Sequence, residues 1–325
     1  MLGDATLALV VDLGREAVPP RSEVTMLHQA RSWRVNMSEK TTIRSAAISG
    51  TIALGGELTV NRLGFGAMRL TGDGIWGQPK DPATAIAVLR RAIELGVNFI
   101  DTADSYGPNV SEELIAEALA PYPKDLVIAT KGGWSRPGPN QWTHDASPAH
   151  LREAVEGSLK RLRLDRIDVY QLHVPDPVVP LDASIETLAN MQLEEKIRLI
   201  ALSNVTVEHI ERARKIVPIV SVQNRYSFAD REWDYVVDYC ERSDMGFIPW
   251  FPLGSGTVAG RVLERIANAR QVKPIQIALA WLLKRSPFML PIPGTSSVAH
   301  LEENVQAASL QLSDEEYLEL TGITV

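Results

Sequence analysis

An α/β fold, a (β/α)8 (TIM) barrel with an N-terminal β-hairpin, is what this sequence predicts. Three observations carry the prediction: eight short apolar runs recur along the chain, helical patterns separate them, and the runs are continuously apolar rather than alternating. Continuous apolarity marks parallel strands buried on both faces beneath a layer of helices. Length alone decides nothing, because 325 residues could hold two average domains or one barrel of about 250 or more. An open doubly wound sheet is the rival, but its first strand-to-helix turn usually carries a three-glycine fingerprint. Here the stretch LGFGAM supplies only two glycines, and a long loop follows before the helix begins.

Taken in order, residues 1–45 show no sustained period and are expected to form a loosely ordered leader, with the barrel over 46–325. The apolar run Leu7 to Gly14 follows Asp4 and no basic residue, which is wrong for a secretory signal; Met37, opening MSEKTTIR, is an alternative start. In TIALGGELTV, Gly55 and Gly56 separate two β-like runs, a hairpin signal. Leu63 to Gly66 reads as the first barrel strand. Asp81-Pro82 then supplies an N-cap and a first-turn proline, and the helix behind it, with Ala85, Ile86, Leu89, Ala92 and Ile93 on one face, stops at Gly96.

The alternation then continues to the end of the chain. Val97 to Ile100, Leu126 to Ala129, Ile167 to Leu172, Ile197 to Leu202, Ile219 to Val222, Gly246 to Trp250 and Phe288 to Ile292 read as strands. Helical patterns fall at Ser111 to Ala120, Ser147 to Arg163, Asp182 to Glu195, Thr206 to Ile216, Arg231 to Arg242, Pro274 to Arg285 and Val298 to Ala307.

Composition narrows the function classes. The chain carries 33 basic against 40 acidic residues, a formal charge of -7, which argues against a nucleic-acid partner. No apolar run approaches the roughly 20 residues of a membrane helix. A single cysteine, Cys240, excludes an intrachain disulfide and a cysteine-based zinc site, and fits a reducing, cytoplasmic setting. No metal is expected.

In a barrel of this kind the active site gathers at the C-terminal ends of the strands. Just past three consecutive apolar runs stand Asp101, Lys131 and His173, and Tyr106 hangs in the loop after Asp101. Each alone has an ordinary reading: a turn or cap aspartate, a solvated lysine, a structural histidine. Their joint placement is what points to chemistry, because chance would scatter them over both ends of the barrel.

From Thr51 to the C-terminus the sequence resembles the aldo-keto reductase family, most specifically in DTADSYG. VNRLGFGAMRL, YGPNVSEELIAEAL, SVQNRYS, PWFPLGSG and IPGTSSVAHLEEN look most like its bacterial pyridoxal reductase branch. The resemblance implies a catalytic tetrad of Tyr106, Lys131, Asp101 and His173 that reduces the carbonyl of a small aldehyde or ketone. Tyr106 would donate the proton, Lys131 would favour its phenolate, Asp101 would hold the lysine charged, and His173 would direct the carbonyl oxygen. A free tyrosine titrates near 10, and this arrangement is expected to pull Tyr106 down by about 2–3 units.

The resemblance also implies NADPH as cofactor, with NADH left open. Ser203, Asn204 and Gln223 would hold the nicotinamide carboxamide and Trp250 would stack on the ring. Leu253, Gly254 and Ser255 would cover the pyrophosphate, and Gly294, Thr295, His300 and Asn304 would face the adenosine phosphate. Many relatives have lysine at the position of Gly294, arginine at that of His300, and glycine at those of Glu195 and Ala201. A left-handed backbone at Glu195 would therefore be strained. Trp76, Trp134 and Trp142 either line a substrate pocket or pack its rim. A nicotinamide-binding sensor with little turnover is the alternative function. A lyase or isomerase would leave the LSN, VQN and WFPLGSG motifs without a purpose.

Overall fold

The computed structural model describes residues 45–252 and 260–322. The expected leader, but for its last residue, and the expected pyrophosphate residues Leu253, Gly254 and Ser255 lie outside them. Two short strands, β1 (Thr51–Leu54) and β2 (Leu58–Asn61), pair antiparallel as the expected hairpin. Both turn glycines are left-handed, Gly55 at φ 60 and Gly56 at φ 72, the conformation this tight turn demands. One face of each strand is buried, which fixes the register: Ile52, Leu54, Leu58 and Val60 point the same way into the barrel.

The barrel strands are β3 (Phe65–Gly66), β4 (Phe99–Asp101) and β5 (Val127–Gly132), then, after a rim hairpin of β6 (Trp134–Ser135) and β7 (Thr143–His144), β8 (Ile167–Leu172), β9 (Ile197–Ser203), β10 (Ile219–Arg225) and β11 (Gly246–Trp250). Seven of them form one parallel sheet in chain order from β3 to β11. The eighth expected strand, Phe288 to Ile292, closes the barrel without becoming a regular strand. Phe247 donates to the Phe288 carbonyl and accepts from Leu290, both at 2.9 Å, while Gly64 donates to the Pro291 carbonyl at 2.9 Å. Pro291 and Pro293 have no N–H to give, so a full ladder on the other side is impossible. The seam is also too close for side chains: a Cβ at Gly66 would lie 2.7 Å from the Ile292 carbonyl oxygen, and one at Gly294 2.5 Å from that of Gly66.

Helices cover the outside: α1 (Pro82–Glu94), α2 (Val110–Leu119), α3 (Pro148–Leu162), α4 (Leu181–Leu193), α5 (Val207–Arg214) and α6 (Asp234–Arg242), then α7 (Arg261–Arg270), α8 (Pro274–Arg285), α9 (Val298–Gln306) and α10 (Asp314–Thr321). Asp81, Ser147, Thr206 and Ser297 each accept a backbone N–H from the first turn of their helix, so the N-terminal signals in the sequence act as caps. Helices α7 and α10 fall outside the expected alternation. The start of α10 was nevertheless written in the sequence, where Ser313 and Glu316 form a capping box.

Glu195 has φ 60, the left-handed backbone expected to strain a non-glycine residue there. Ala201 is buried in the barrel interior. Among the described residues no helix is long and apolar enough to cross a membrane.

Candidate active site

Inward positions of β4, β5, β8 and β10 converge at the C-terminal mouth of the barrel. Lys131, fully buried on β5, uses all three of its N–H donors: to Asp101 Oδ1 at 2.6 Å, to the Thr102 carbonyl at 2.9 Å and to the Tyr106 hydroxyl at 3.3 Å. Asp101 ends β4, and its second oxygen accepts from Gln171 Nε2 and Gln223 Nε2, each at 2.8 Å. An ion pair taken out of water survives only when its remaining lone pairs and protons are satisfied, and here they are. Burial alone would lower the lysine pKa, but the Asp101 charge and the Tyr106 oxygen outweigh it and raise it, so the ammonium persists.

The sequence-expected tetrad is thus brought together. The Tyr106 and His173 rings meet edge to face with centroids 5.8 Å apart, and both line a cavity of about 830 Å3. The expected fall in the phenol pKa is not what the surroundings produce. Burial pushes Tyr106 up, the Lys131 charge pulls back only part of that, and the Asp101 carboxylate works against the lysine. The neutral Lys131–Asp101 pair therefore leaves the phenol protonated. His173 is held well below its ordinary pKa by burial and then by Lys131, so its imidazole is neutral.

The residues expected to meet a cofactor divide into groups. Ser203, Asn204, Gln223, Trp250 and Gly294 line the same cavity. Asn204, left-handed at φ 57, ties them together: its Nδ2 donates to the His173 carbonyl at 3.0 Å and to Ser203 Oγ at 3.1 Å, and its Oδ1 accepts from Trp250 Nε1 at 3.0 Å. Gln223 commits its amide N–H groups to Asp101 and, at 3.2 Å, to Gln171 Oε1, leaving its own carbonyl oxygen for the cavity. Thr295, His300 and Asn304 lie beyond this lining: Thr295 is buried and accepts the Ser297 N–H, His300 is exposed in the first turn of α9, and Asn304 is buried on that helix.

Gln171 escaped the reading of the sequence. The signal was present, since it stands two residues before His173 on a strand and so shares its face. Arg136 is a second omission. Its guanidinium lies 3.8 Å from the Trp142 ring centroid and 5.6 Å from that of Trp76, and it donates to the Ser105 and Gln141 carbonyls, each at 2.8 Å. Trp134 and Trp142 line the cavity with their rings edge to face, 5.8 Å apart. Trp76 instead packs on Arg136 at the rim. Among the described residues no cluster of His, Cys, Asp and Glu could hold a metal ion.

The profile of the Aldo/keto reductase family matches residues 62–324. An uncharacterised oxidoreductase of Schizosaccharomyces pombe is 51% identical over 277 residues, covering 85% of this chain and 90% of the relative. The pyridoxine 4-dehydrogenase of Escherichia coli K12 is 47% identical over 283 residues, covering 85% of this chain and 99% of the enzyme. Among solved structures, an aldo-keto reductase from Klebsiella pneumoniae in complex with NADPH superposes with a TM-score of 0.72 at 26% identity, covering 83% of this chain and 93% of that one. With the profile spanning nearly the whole barrel and relatives this similar along most of their length, the chain belongs to the aldo/keto reductase family of oxidoreductases.

Proposed function

We propose that this chain is an NADPH-dependent reductase of small aromatic aldehydes, with pyridoxal, reduced to pyridoxine, as the best single match. The observation that carries the reading is the convergence of Tyr106, Lys131, Asp101 and His173 at the floor of a cavity walled by Trp134 and Trp142. Supporting the substrate are the name of the 47% identical E. coli enzyme and the flat aromatic wall, which suits a planar ring.

The donor set fits a nicotinamide cofactor. The free Gln223 carbonyl oxygen and the Ser203 and Asn204 side chains offer both acceptors and donors to a carboxamide, and the Trp250 ring, steadied by Asn204, offers a face to stack on. Gly294 lines the cavity where no side chain could fit against Gly66. The NADPH-bound structural neighbour supports the choice of dinucleotide.

When bound, NADPH supplies the hydride. The residues of this chain do the rest. Neutral His173 offers an N–H to the carbonyl oxygen and orients it toward the phenol, a role that a charged imidazolium could not hold without taking the proton transfer for itself. Tyr106 keeps its proton until negative charge develops on that oxygen, then donates it. Lys131 stabilises the resulting phenolate through the contact it already makes. Asp101 and its two glutamine donors keep the lysine in place.

The test is cofactor oxidation with NADPH and with NADH across pyridoxal, simple aromatic aldehydes and short aliphatic ones. Turnover of pyridoxal or an aromatic aldehyde with NADPH is the expected result. Cofactor binding with no turnover on any carbonyl would instead favour a sensor.

A further inference from the structure

One buried charge at the mouth of the barrel takes no part in the tetrad. Arg136, directly after β6, is only 9% exposed. Its partners among the described residues are backbone carbonyls and indole rings, none of them a carboxylate. Nε donates to the Gln141 carbonyl at 2.8 Å, across the loop of its own hairpin. Nη1 donates to the Ser105 carbonyl at 2.8 Å, beside Tyr106, and Nη2 to the Gly74 carbonyl at 3.3 Å, in the turn 72–77. The guanidinium carbon lies 3.8 Å from the Trp142 ring centroid and 5.6 Å from that of Trp76. A guanidinium presents its donors in a fixed fork and offers a flat face to an aromatic ring. One side chain thereby joins three separate segments, which the point charge of an ammonium could not do.

Each of these segments sends a side chain to the cavity: Trp142 from the hairpin, Tyr106 from the loop after β4 and Ile75 from the turn. Ile75 is the strained one. Its φ is 57, where a β-branched residue is an outlier, and strain of that kind persists only where the surroundings over-determine it. Here they do. Gly107 donates to the Ile75 carbonyl at 3.3 Å, Gly77 donates to the Gly107 carbonyl at 2.7 Å, and Arg136 holds the neighbouring Gly74. A Cβ at Gly74 would lie 3.0 Å from the Asn140 amide, so the turn also touches the hairpin loop directly. Trp142 in turn meets Trp134 and His173 edge to face, at 5.8 Å and 6.5 Å between centroids.

We propose that Arg136 is a specificity-determining positioning residue: by joining the hairpin, the Tyr106 loop and the turn 72–77, it fixes Trp142 and Ile75 against each other and so selects flat aromatic aldehydes over short aliphatic ones. The inference rests on the carbonyl-reducing reading above and adds to it the residue that sets the substrate class. Arg136 does not itself line the cavity, so it acts through the side chains it holds. A planar ring gains most from a wall already held still, because no ordering of that wall is left to pay at binding. A short aliphatic chain stacks on neither indole and gains little from the same wall.

Steady-state kinetics of the full chain with NADPH, on pyridoxal, benzaldehyde and propanal, measure this selection. Arg136→Met is expected to raise KM for both aromatic aldehydes about 10-fold with kcat within about threefold, and to change KM for propanal by about twofold at most, the pattern of lost ring binding. Arg136→Lys keeps the charge without the fork and is expected to behave like Arg136→Met. Because Arg136 acts through Trp142, Trp142→Leu should raise the same aromatic KM values, and the double variant should exceed the larger single effect by no more than about twofold. Hydrogen exchange reads the joint without turnover: 72–77 and 133–146 should exchange about 10-fold faster in Arg136→Met, with β8 and β9 unchanged. An aromatic preference retained in Arg136→Met, a KM that rises equally for propanal, fully additive effects of the two substitutions, or unchanged exchange in both segments overturns the inference. Should Arg136→Met fail to fold, Arg136→Lys decides on the same substrates, wild-type selectivity in it being the contrary result. If wild type reduces no carbonyl, the functional reading fails, and calorimetric titration of pyridoxine in the presence of NADPH judges the inference instead. Binding about 10-fold weaker in Arg136→Met then supports it, and equal binding, or none to wild type, overturns it.

Discussion

The two mouths of one barrel are built on opposite principles from the same strands. At the N-terminal mouth the hairpin residues Ile52, Leu54 and Val60 meet Val127, Leu199 and Val220 in a single apolar cluster. At the C-terminal mouth those strands turn Lys131, Ser203 and Gln223 to the cavity side, and β4 ends in Asp101. The first mouth is held by area, each large side chain contributing about 1.5–3 kcal/mol. Geometry holds the second, where five hydrogen bonds keep one cation and one anion satisfied out of water. Closing the first with hydrocarbon is what keeps water from reaching the second through the barrel, and so lets a buried lysine act on a buried phenol.

That contrast breaks most sharply at Lys131. Lys131→Met leaves Asp101 buried and unpaired, so chemical denaturation should show a loss of roughly 3–5 kcal/mol, together with loss of aldehyde reduction. A variant as stable as wild type would mean that the charged mouth is not held in the way described. Leu54→Ala tests the other end. The cavity it leaves among Gly246 and the strand residues should cost about 2–5 kcal/mol, while kcat and KM of the folded protein stay at wild-type values. A changed KM would show that the two mouths are coupled. The smallest effect is expected at Glu195, outside both, where glycine relieves a left-handed backbone: Glu195→Gly should raise stability by roughly 0.5–1 kcal/mol, read as a rise of about 1–3 °C in Tm. A lower Tm would place the strain elsewhere.

The alternation of apolar runs and caps made most of the fold legible, and the strand-end residues made the tetrad legible, because both are local patterns. What escaped depends on distant contacts. The eighth strand looks regular in sequence until Pro291 and the adjoining Pro293 are set against both neighbours. Helix α7 buries only Leu263, Ile266 and Ala267, too few to stand out in a polar stretch. The sign of the Tyr106 shift follows from how completely the phenol is buried and from Asp101 offsetting Lys131, neither of which spacing reveals.

The central claim is that Tyr106 delivers the proton while the cofactor site is built independently by the later strands. Tyr106→Phe, loaded with NADPH carrying deuterium at the transferable position and given pyridoxal, measures this directly, with cofactor affinity followed in parallel by fluorescence. The account predicts NADPH binding within about twofold of wild type and appearance of labelled pyridoxine slowed by about 10^2–10^4-fold. Labelled product forming at the wild-type rate would contradict it.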